Sequence, residues 1–157
     1  MSGFWLLLAT IALATPEAPV AAAEPPLSPT GYVYLDVDGK PLPFQDHGAI
    51  LEALRTGTVV EQKVMSRGVA QNSKLVLEVG GVRFHAVFRT INVSEREKTT
   101  SKRIVVKYRD TWMFEIAAYE LSELLGIGRV PPVVARTIDG VPGSIQIWME
   151  GTTPEDL

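Results

Sequence analysis

The sequence predicts an α+β domain in which a five-stranded antiparallel sheet carries one main helix on one face, preceded by a small hairpin and a short helix. Three observations predict this class. Short stretches that alternate apolar and polar residues are separated by glycine turns, which is typical of antiparallel strands. One long helical pattern follows the third stretch of the sheet, and two further strands follow that helix. The chain has 157 residues and is 46% apolar, so it can bury one core.

The composition excludes several classes of function. The chain has no cysteine, which excludes disulfides, thiolate metal sites and cysteine nucleophiles. It has two histidines, so a multi-histidine metal site is not expected. Fifteen basic and eighteen acidic residues give a net charge of −3 without a basic block in the sequence. This balance argues against nucleic acid as a partner.

The first 30 residues are predicted to lie outside the fold. Residues 4–14 form an apolar run that is shorter than the ~20 residues of a bilayer-spanning helix and is typical of a signal peptide. Ala21–Ala23 supplies small residues for cleavage, so residues 1–23 are interpreted as a signal peptide and the protein as exported, without a stable membrane span afterwards. An uncleaved apolar arm is the alternative, because no Lys or Arg precedes the run. The prolines of residues 24–30 predict an extended tether.

Residues 31–57 are predicted to form the small hairpin and the short helix. Apolar and polar residues alternate from Tyr32 to Gln45 around an Asp-Gly turn, which indicates a hairpin. Asp46 is predicted to cap the helix, and Gly57 is predicted to end it.

Residues 58–150 are predicted to hold the sheet and the main helix. The predicted strands are 59–65, 74–79, 82–91, 132–138 and 144–149. The first three strands are expected to form an antiparallel meander, since only short turns connect them. The charged segment 94–103 is predicted to be a solvated insertion.

The main helix is predicted over Trp112–Leu125, with Asp110 or Thr111 as its cap. At 100° per residue, six apolar side chains share one face, which is predicted to pack on the sheet: Met113, Ile116, Ala117, Leu121, Leu124 and Leu125. Glu120 falls inside this apolar arc, and Glu115 lies at its edge. Both therefore remain candidates for an acid that faces the sheet.

Several short motifs follow one another in residues 59–150: Ala86–Arg89, Glu115–Tyr119, Val130–Val133, Arg136 and Gly143–Gln146. Together they resemble the N-terminal lobe of a protein-kinase-like fold, of the secretory-pathway Golgi casein kinase type and its bacterial kinase-like relatives. The Glu-Ile-Ala-Ala-Tyr helix followed by Val-Pro-Pro-Val is the most specific part. The resemblance implies a nucleotide-binding half of a kinase-like protein, with ATP and Mg²⁺ as its cofactors.

The resemblance also implies how the phosphates are bound. A hairpin with Gly68 at its bend would close over them. A cation on the third strand would hold them, and Arg89 matches this position, where the family carries lysine; Lys107 is the alternative. Glu115 matches the helix carboxylate that orients the cation, whereas periodicity alone favours Glu120 as the buried acid.

Backbone groups of Met149 and Glu150 would contact the adenine, and residues 151–157 are interpreted as the start of the hinge. No His-x-Asp motif and no Asp-x-Gly motif follows Glu150. We therefore expect no catalytic residue in these 157 residues, and we expect them not to transfer phosphate by themselves. The expected partners are a nucleotide and either the missing C-terminal lobe or another protein. An exported binding domain that keeps this scaffold without being an enzyme is the alternative function.

Overall fold

A five-stranded antiparallel sheet forms the centre of the computed structural model, which describes residues 31–65, 72–99 and 104–151. In chain order the elements are α1 (His47–Thr56), β1 (Thr58–Val64), β2 (Asn72–Val79), β3 (Val82–Arg89), β4 (Asn92–Thr99), β5 (Ile104–Thr111), α2 (Met113–Leu124), β6 (Val133–Ile138) and β7 (Val141–Ile147). The strand order of the sheet is β1-β2-β3-β7-β6, and β4 and β5 form a separate two-stranded sheet. The predicted α+β class is confirmed. Neither helix is long and apolar enough to cross a bilayer in the part of the chain that is described.

The predicted meander is confirmed, since β1 pairs with β2 and β2 with β3 in antiparallel register. Gly80 and Gly81 form the turn between β2 and β3, with φ angles of +56° and +80°. Two consecutive left-handed positions favour glycine because a side chain would strain the backbone. β7 then pairs with the free edge of β3, which leaves β6 at the far edge.

Helix α1 begins and ends where the sequence predicts. The Asp46 carboxylate accepts a hydrogen bond of 2.8 Å from the backbone N–H of Ala49, and the N–H of Gly57 donates to the carbonyl of Ala53 at 2.9 Å. The predicted hairpin before α1 is reduced to a single bridge between Leu35 and Pro41. The Gln45 side chain replaces the next ladder bond, because it accepts from the Tyr34 N–H at 2.8 Å and donates to the Leu42 carbonyl at 2.9 Å.

The core lies between α1 and one face of the sheet. Leu75 of β2 pairs with Ala86 of β3, and Leu77 pairs with Phe84, so alternate residues of both strands point to the same face. The other buried apolar residues of this core are Tyr34, Leu42, Ile50, Ala53, Leu54, Phe88, Val134, Ile138, Ile145 and Ile147. The N-terminal segment and the sheet thus share one core, and the opposite face stays half-exposed on β2 and β3.

A half-buried arginine connects α1 to the sheet. Arg136 of β6 donates hydrogen bonds of 2.8 Å and 2.7 Å to the carbonyl oxygens of Leu54 and Gly57, at the carboxyl end of α1. These carbonyls have no partner within the helix, and a cation there also favours the helix dipole. Burial lowers the pKa of the Arg136 guanidinium.

The predicted buried face of α2 is wrong. Five of its six apolar residues are exposed, with Leu124 at 82%, and the residues that α2 buries are Tyr119 and Ser122. Helix α1 already covers the apolar face of the sheet, so α2 meets the domain through a face that forms hydrogen bonds. The Ser122 hydroxyl, for example, accepts a hydrogen bond from the N–H of Arg129 at 3.2 Å.

Of the two predicted caps of α2, Thr111 bonds to the helix end and Asp110 does not. The Met113 N–H donates a hydrogen bond of 3.4 Å to the Thr111 hydroxyl, and Trp112, at the N-cap position, provides no side-chain cap. Asp110 binds Arg89 instead of the helix end. A guanidinium is a stronger partner for a carboxylate than a backbone N–H is.

The predicted solvated insertion at 94–103 is in large part a β-hairpin. Its strands β4 and β5 pair antiparallel from Asn92 and Thr111 to Thr99 and Ile104, and residues 100–103 lie outside the described part. A two-stranded ribbon does not need an apolar face towards a core. Its charged residues therefore do not show the alternation of apolar and polar residues by which a strand is predicted.

Candidate functional site

An ion-pair cluster joins the sheet, helix α2 and the hairpin. Arg89 is the last residue of β3, and its Nη1 atom lies 3.1 Å from Oε1 of Glu115 in α2. Its Nη2 atom lies 2.6 Å from Oδ1 of Asp110 in β5. The structure thus brings together Arg89 and Glu115, as the sequence analysis expects. The sequence analysis does not predict that Asp110 belongs to this cluster, because an acidic residue just before a helix is typical of a helix cap.

The two alternatives that the sequence left open lie elsewhere. Lys107 is exposed in the separate two-stranded sheet, with a φ of +55°, whereas Arg89 belongs to the third strand of the main sheet. Glu120 is exposed, so its prediction as a buried acid is wrong. Arg89 and Glu115 are therefore the strand cation and the helix carboxylate that contact each other.

One guanidinium balances two carboxylates in a half-buried setting. The Arg89 side chain is 25% exposed, and the hydroxyl of Tyr108 donates to the second oxygen of Asp110 at 3.3 Å. Charges that lose part of their hydration need a partner, so removal of the arginine would leave two carboxylates side by side. Among the described residues, no group of three or more His, Asp or Glu side chains could hold a metal ion.

A small pocket of about 100 Å³ opens beside the cluster, lined by Asn72, Val87, Arg89, Glu115, Ser144 and Gln146. Two of these residues each have a buried polar atom without a hydrogen-bond partner, the Arg89 Nε and the Asn72 Oδ1. Buried polar groups in proteins are normally paired, so these two atoms mark a place where a polar ligand gains hydrogen bonds. Gly68, the predicted phosphate-loop glycine, lies outside the described residues.

Gly143 supports Arg89 from the neighbouring strand β7. A Cβ atom at this glycine would lie 2.5 Å from the carbonyl oxygen of Arg89 and 2.7 Å from the ring of Phe88. The sequence analysis names Gly143 only as part of the Gly143–Gln146 motif. The structure shows that β7 can approach β3 this closely because glycine has no side chain.

The predicted adenine-contacting residues follow β7. Met149 is half-buried and packs against the core, and the Glu150 carboxylate is hydrogen-bonded to Nδ1 of His85 on β3. The backbone N–H of Trp148 donates to the carbonyl of His85 at 3.0 Å, and Nζ of Lys74 lies 4.5 Å from the Trp148 ring centre. These contacts hold the segment that follows β7 against the half-exposed face of the sheet, which also carries Arg89.

A second polar cluster joins α1, α2 and the N-terminal segment around the buried His47. The hydroxyls of Tyr34 and Tyr119 lie 3.4 Å from its two ring nitrogens, and a carboxylate oxygen of Glu123 lies 3.3 Å from Nδ1. Burial, together with the nearby acidic groups, raises the pKa of each tyrosine to about 12.

The two tyrosines predict a loss of stability at alkaline pH. Because their native pKa lies above the ordinary value of 10, they stabilise the fold below pH 10, and this contribution is lost as the pH rises from 10 to about 12. We expect urea denaturation to show a fall of about 2 kcal/mol per tyrosine in the free energy of unfolding over this range. The double variant Tyr34→Phe, Tyr119→Phe should flatten the decline, whereas the exposed Tyr32→Phe should not. An equally steep decline in the double variant would contradict this assignment.

A comparison with protein families supports the relationship suggested by these residues. The family model described as Golgi casein kinase, C-terminal, Fam20 matches residues 43–146, which is more than half of the chain and runs from just before α1 into β7. The matched range contains Arg89, Asp110 and Glu115. No curated protein and no solved structure shows a significant match. The chain belongs to the Fam20 Golgi casein kinase family and contains a kinase-like domain.

Proposed function

We propose that this chain supplies the nucleotide-binding N-terminal lobe of an exported kinase-like protein, and that ATP with Mg²⁺ binds at the Arg89 cluster. One observation carries the proposal. A cation on the third strand lies 3.1 Å from a carboxylate on the main helix, lines a small pocket and has a buried donor without a partner. This is the arrangement by which a kinase-like lobe holds nucleotide phosphates.

The residues at the cluster fit a phosphate group. The Arg89 Nε atom is a donor without an acceptor, and phosphate oxygens match the donor geometry of a guanidinium. Glu115 holds the other end of the guanidinium and so orients it. Asp110 adds a second carboxylate, and Mg²⁺ takes carboxylate oxygens together with phosphate oxygens. Bound ATP would supply the transferable phosphoryl group.

The half-exposed face of the sheet also suits an adenine ring. Val87 lies half-buried on this face between Arg89 and His85, and Val76 lies half-buried directly opposite His85, which contacts Glu150. Apolar side chains of this size can pack against a flat ring, and the backbone that follows β7 can offer hydrogen bonds at its edge. We keep Met149 and Glu150 as the proposed adenine contacts.

A titration with ATP and Mg²⁺ followed by thermal unfolding tests the proposal. A ligand at one hundred times its Kd stabilises a protein by about 2.7 kcal/mol. We expect ATP to raise the melting temperature of the wild type and of Arg83→Gln, and Arg89→Gln to lose most of this rise. Arg83 is a matched control, because it lies on the same strand about 20 Å away and is also paired with a carboxylate, that of Glu78 at 2.6 Å.

Two results would contradict the proposal. One is a melting temperature of the wild type that ATP does not change, with or without Mg²⁺. The other is an equal rise in Arg89→Gln, which would place the nucleotide elsewhere. We also propose that these 157 residues alone transfer no phosphate, so phosphorylation of casein by the purified chain would overturn that part.

We propose further that the protein is exported. The apolar run at residues 4–14, the small residues Ala21–Ala23 and the secretory character of the matched family support this. The intact mass of the secreted protein should correspond to a chain that starts at Glu24. A secreted chain that still carries Met1 would contradict cleavage at this position.

A second candidate function rests on the exposed face of α2. Large apolar side chains crowd this face, namely Met113, Phe114, Leu121, Leu124 and Leu125. Contiguous exposed apolar surface marks a site of interaction with another domain or protein. A binding domain that keeps the kinase-like scaffold without using nucleotide would show this surface and no response to ATP, so the same titration distinguishes the two functions.

A further inference from the structure

The segment that follows β7 leaves the sheet but stays attached to β3. The ladder between β3 and β7 ends at Ile147 of β7. Beyond this point His85 of β3 provides the attachment with two of its groups. Its carbonyl oxygen accepts a hydrogen bond of 3.0 Å from the backbone N–H of Trp148, and its ring nitrogen Nδ1 is hydrogen-bonded to the Glu150 carboxylate. One residue of β3 therefore contacts the chain on both sides of Met149.

The hydrogen bond between His85 and Glu150 is formed by two side chains that are partly withdrawn from water, since they are only 22% and 24% exposed. A hydrogen bond to a carboxylate contributes more to stability than one between neutral groups, and the loss of one partner leaves the other poorly solvated. Nζ of Lys74 also lies 4.5 Å from the centre of the Trp148 ring. Side chains of β2 and β3 thus hold this segment where the ladder of the sheet no longer does.

His85 also borders the space that is proposed for the base. Val87 is two residues further along β3, and alternate residues of a strand point to the same face. Val76 of β2 pairs directly with His85. A cavity of about 170 Å³ has Lys74, Val76 and His85 among its lining residues. A base that packs on the two valines would therefore lie next to the residue that holds the segment after β7.

We propose that His85 is a positioning residue for the nucleotide base, because its ring holds Glu150 and thereby fixes the position of the backbone at Met149 and Glu150. This inference rests on the proposed nucleotide site. Arg89 lies four residues further along β3, about 13 Å from His85. The phosphates at Arg89 and the base near His85 therefore depend on different contacts. Loss of the bond between His85 and Glu150 should weaken the binding of the base and not that of the phosphates.

Isothermal titration calorimetry of the full 157-residue chain with two ligands separates these contacts. The ligands are ATP and inorganic tripolyphosphate, each with Mg²⁺, and the second has the phosphates without the base. We expect His85→Leu to weaken the binding of ATP by about tenfold or more and that of tripolyphosphate by less than about twofold. His85→Asn keeps an N–H donor close to the position of Nδ1, so it should recover most of the ATP binding.

Arg83→Gln is the matched control, because Arg83 lies two residues before His85 on β3 and is also paired with a carboxylate, that of Glu78 at 2.6 Å. It should bind both ligands as the wild type does, whereas Arg89→Gln should bind both more weakly. Thermal unfolding without ligand shows whether the variants are folded.

Three results would overturn the role of His85 and leave the proposed nucleotide site intact. One is unchanged ATP binding by His85→Leu, and another is an equal loss of both ligands in this variant. The third is ATP binding by His85→Asn that is as weak as that of His85→Leu, which would show that the bond to Glu150 is not responsible. A wild type that binds neither ligand would overturn the proposed function and this inference together.

Discussion

Replacement of Gly143 by alanine is expected to lower the free energy of unfolding by about 3 kcal/mol or more. The new Cβ atom would meet the carbonyl oxygen of Arg89 at 2.5 Å and the ring of Phe88 at 2.7 Å. Neither group can move easily, because the first is strand backbone and the second is buried in the core. Strands β3 and β7 would have to separate where Arg89 pairs with Ser144.

Urea denaturation followed by circular dichroism measures this effect, and Gly140→Ala is its matched control. Gly140 lies in the turn between β6 and β7 with a φ of +79°, and nothing lies within 4 Å of a Cβ atom there. The control thus carries the backbone strain alone, about 1 kcal/mol. A loss for Gly143→Ala no larger than that of Gly140→Ala would show that the close approach to β3 is not required.

Replacement of Arg89 by methionine is expected to lower the free energy of unfolding by about 2 kcal/mol. Methionine keeps most of the apolar stem but leaves the carboxylates of Asp110 and Glu115 next to each other without their cation. Removal of one partner of a fully buried ion pair costs about 3–5 kcal/mol, and the partial exposure of these side chains reduces this value.

Neutral replacements test whether repulsion between the carboxylates causes this loss. The triple variant Arg89→Met, Asp110→Asn, Glu115→Gln should recover most of the stability, because a charge cluster that is replaced as a whole leaves no unpaired charge. The double variant Asp110→Asn, Glu115→Gln is the control for the two amides alone. If the losses of the single changes simply add in the triple variant, the three side chains are not energetically coupled.

Local patterns predict much of this fold. The cap at Asp46, the end of α1 at Gly57 and the turn at Gly80 and Gly81 each depend on the conformation or hydrogen bonding of neighbouring residues, so a short stretch of sequence specifies them. Alternation specifies the five strands of the main sheet, because one face of each central strand is buried. The pairing of Arg89 with Glu115 is predicted through the family resemblance and is found in the structure.

Other features depend on partners that are distant in the sequence. Helical periodicity identifies an apolar face on α2, but whether that face is buried depends on what already covers the sheet, and α1 occupies that place. Asp110 has a helix end and a cation within reach, and only the fold shows that Arg89 lies close enough to bind it. By itself, the sequence determined the two helices, the five strands of the main sheet and one ion pair, since these follow from local hydrogen bonding, from alternation and from the family resemblance. The tertiary structure decided the exposed face of α2 and the second carboxylate of the cluster, because each depends on which distant segments meet.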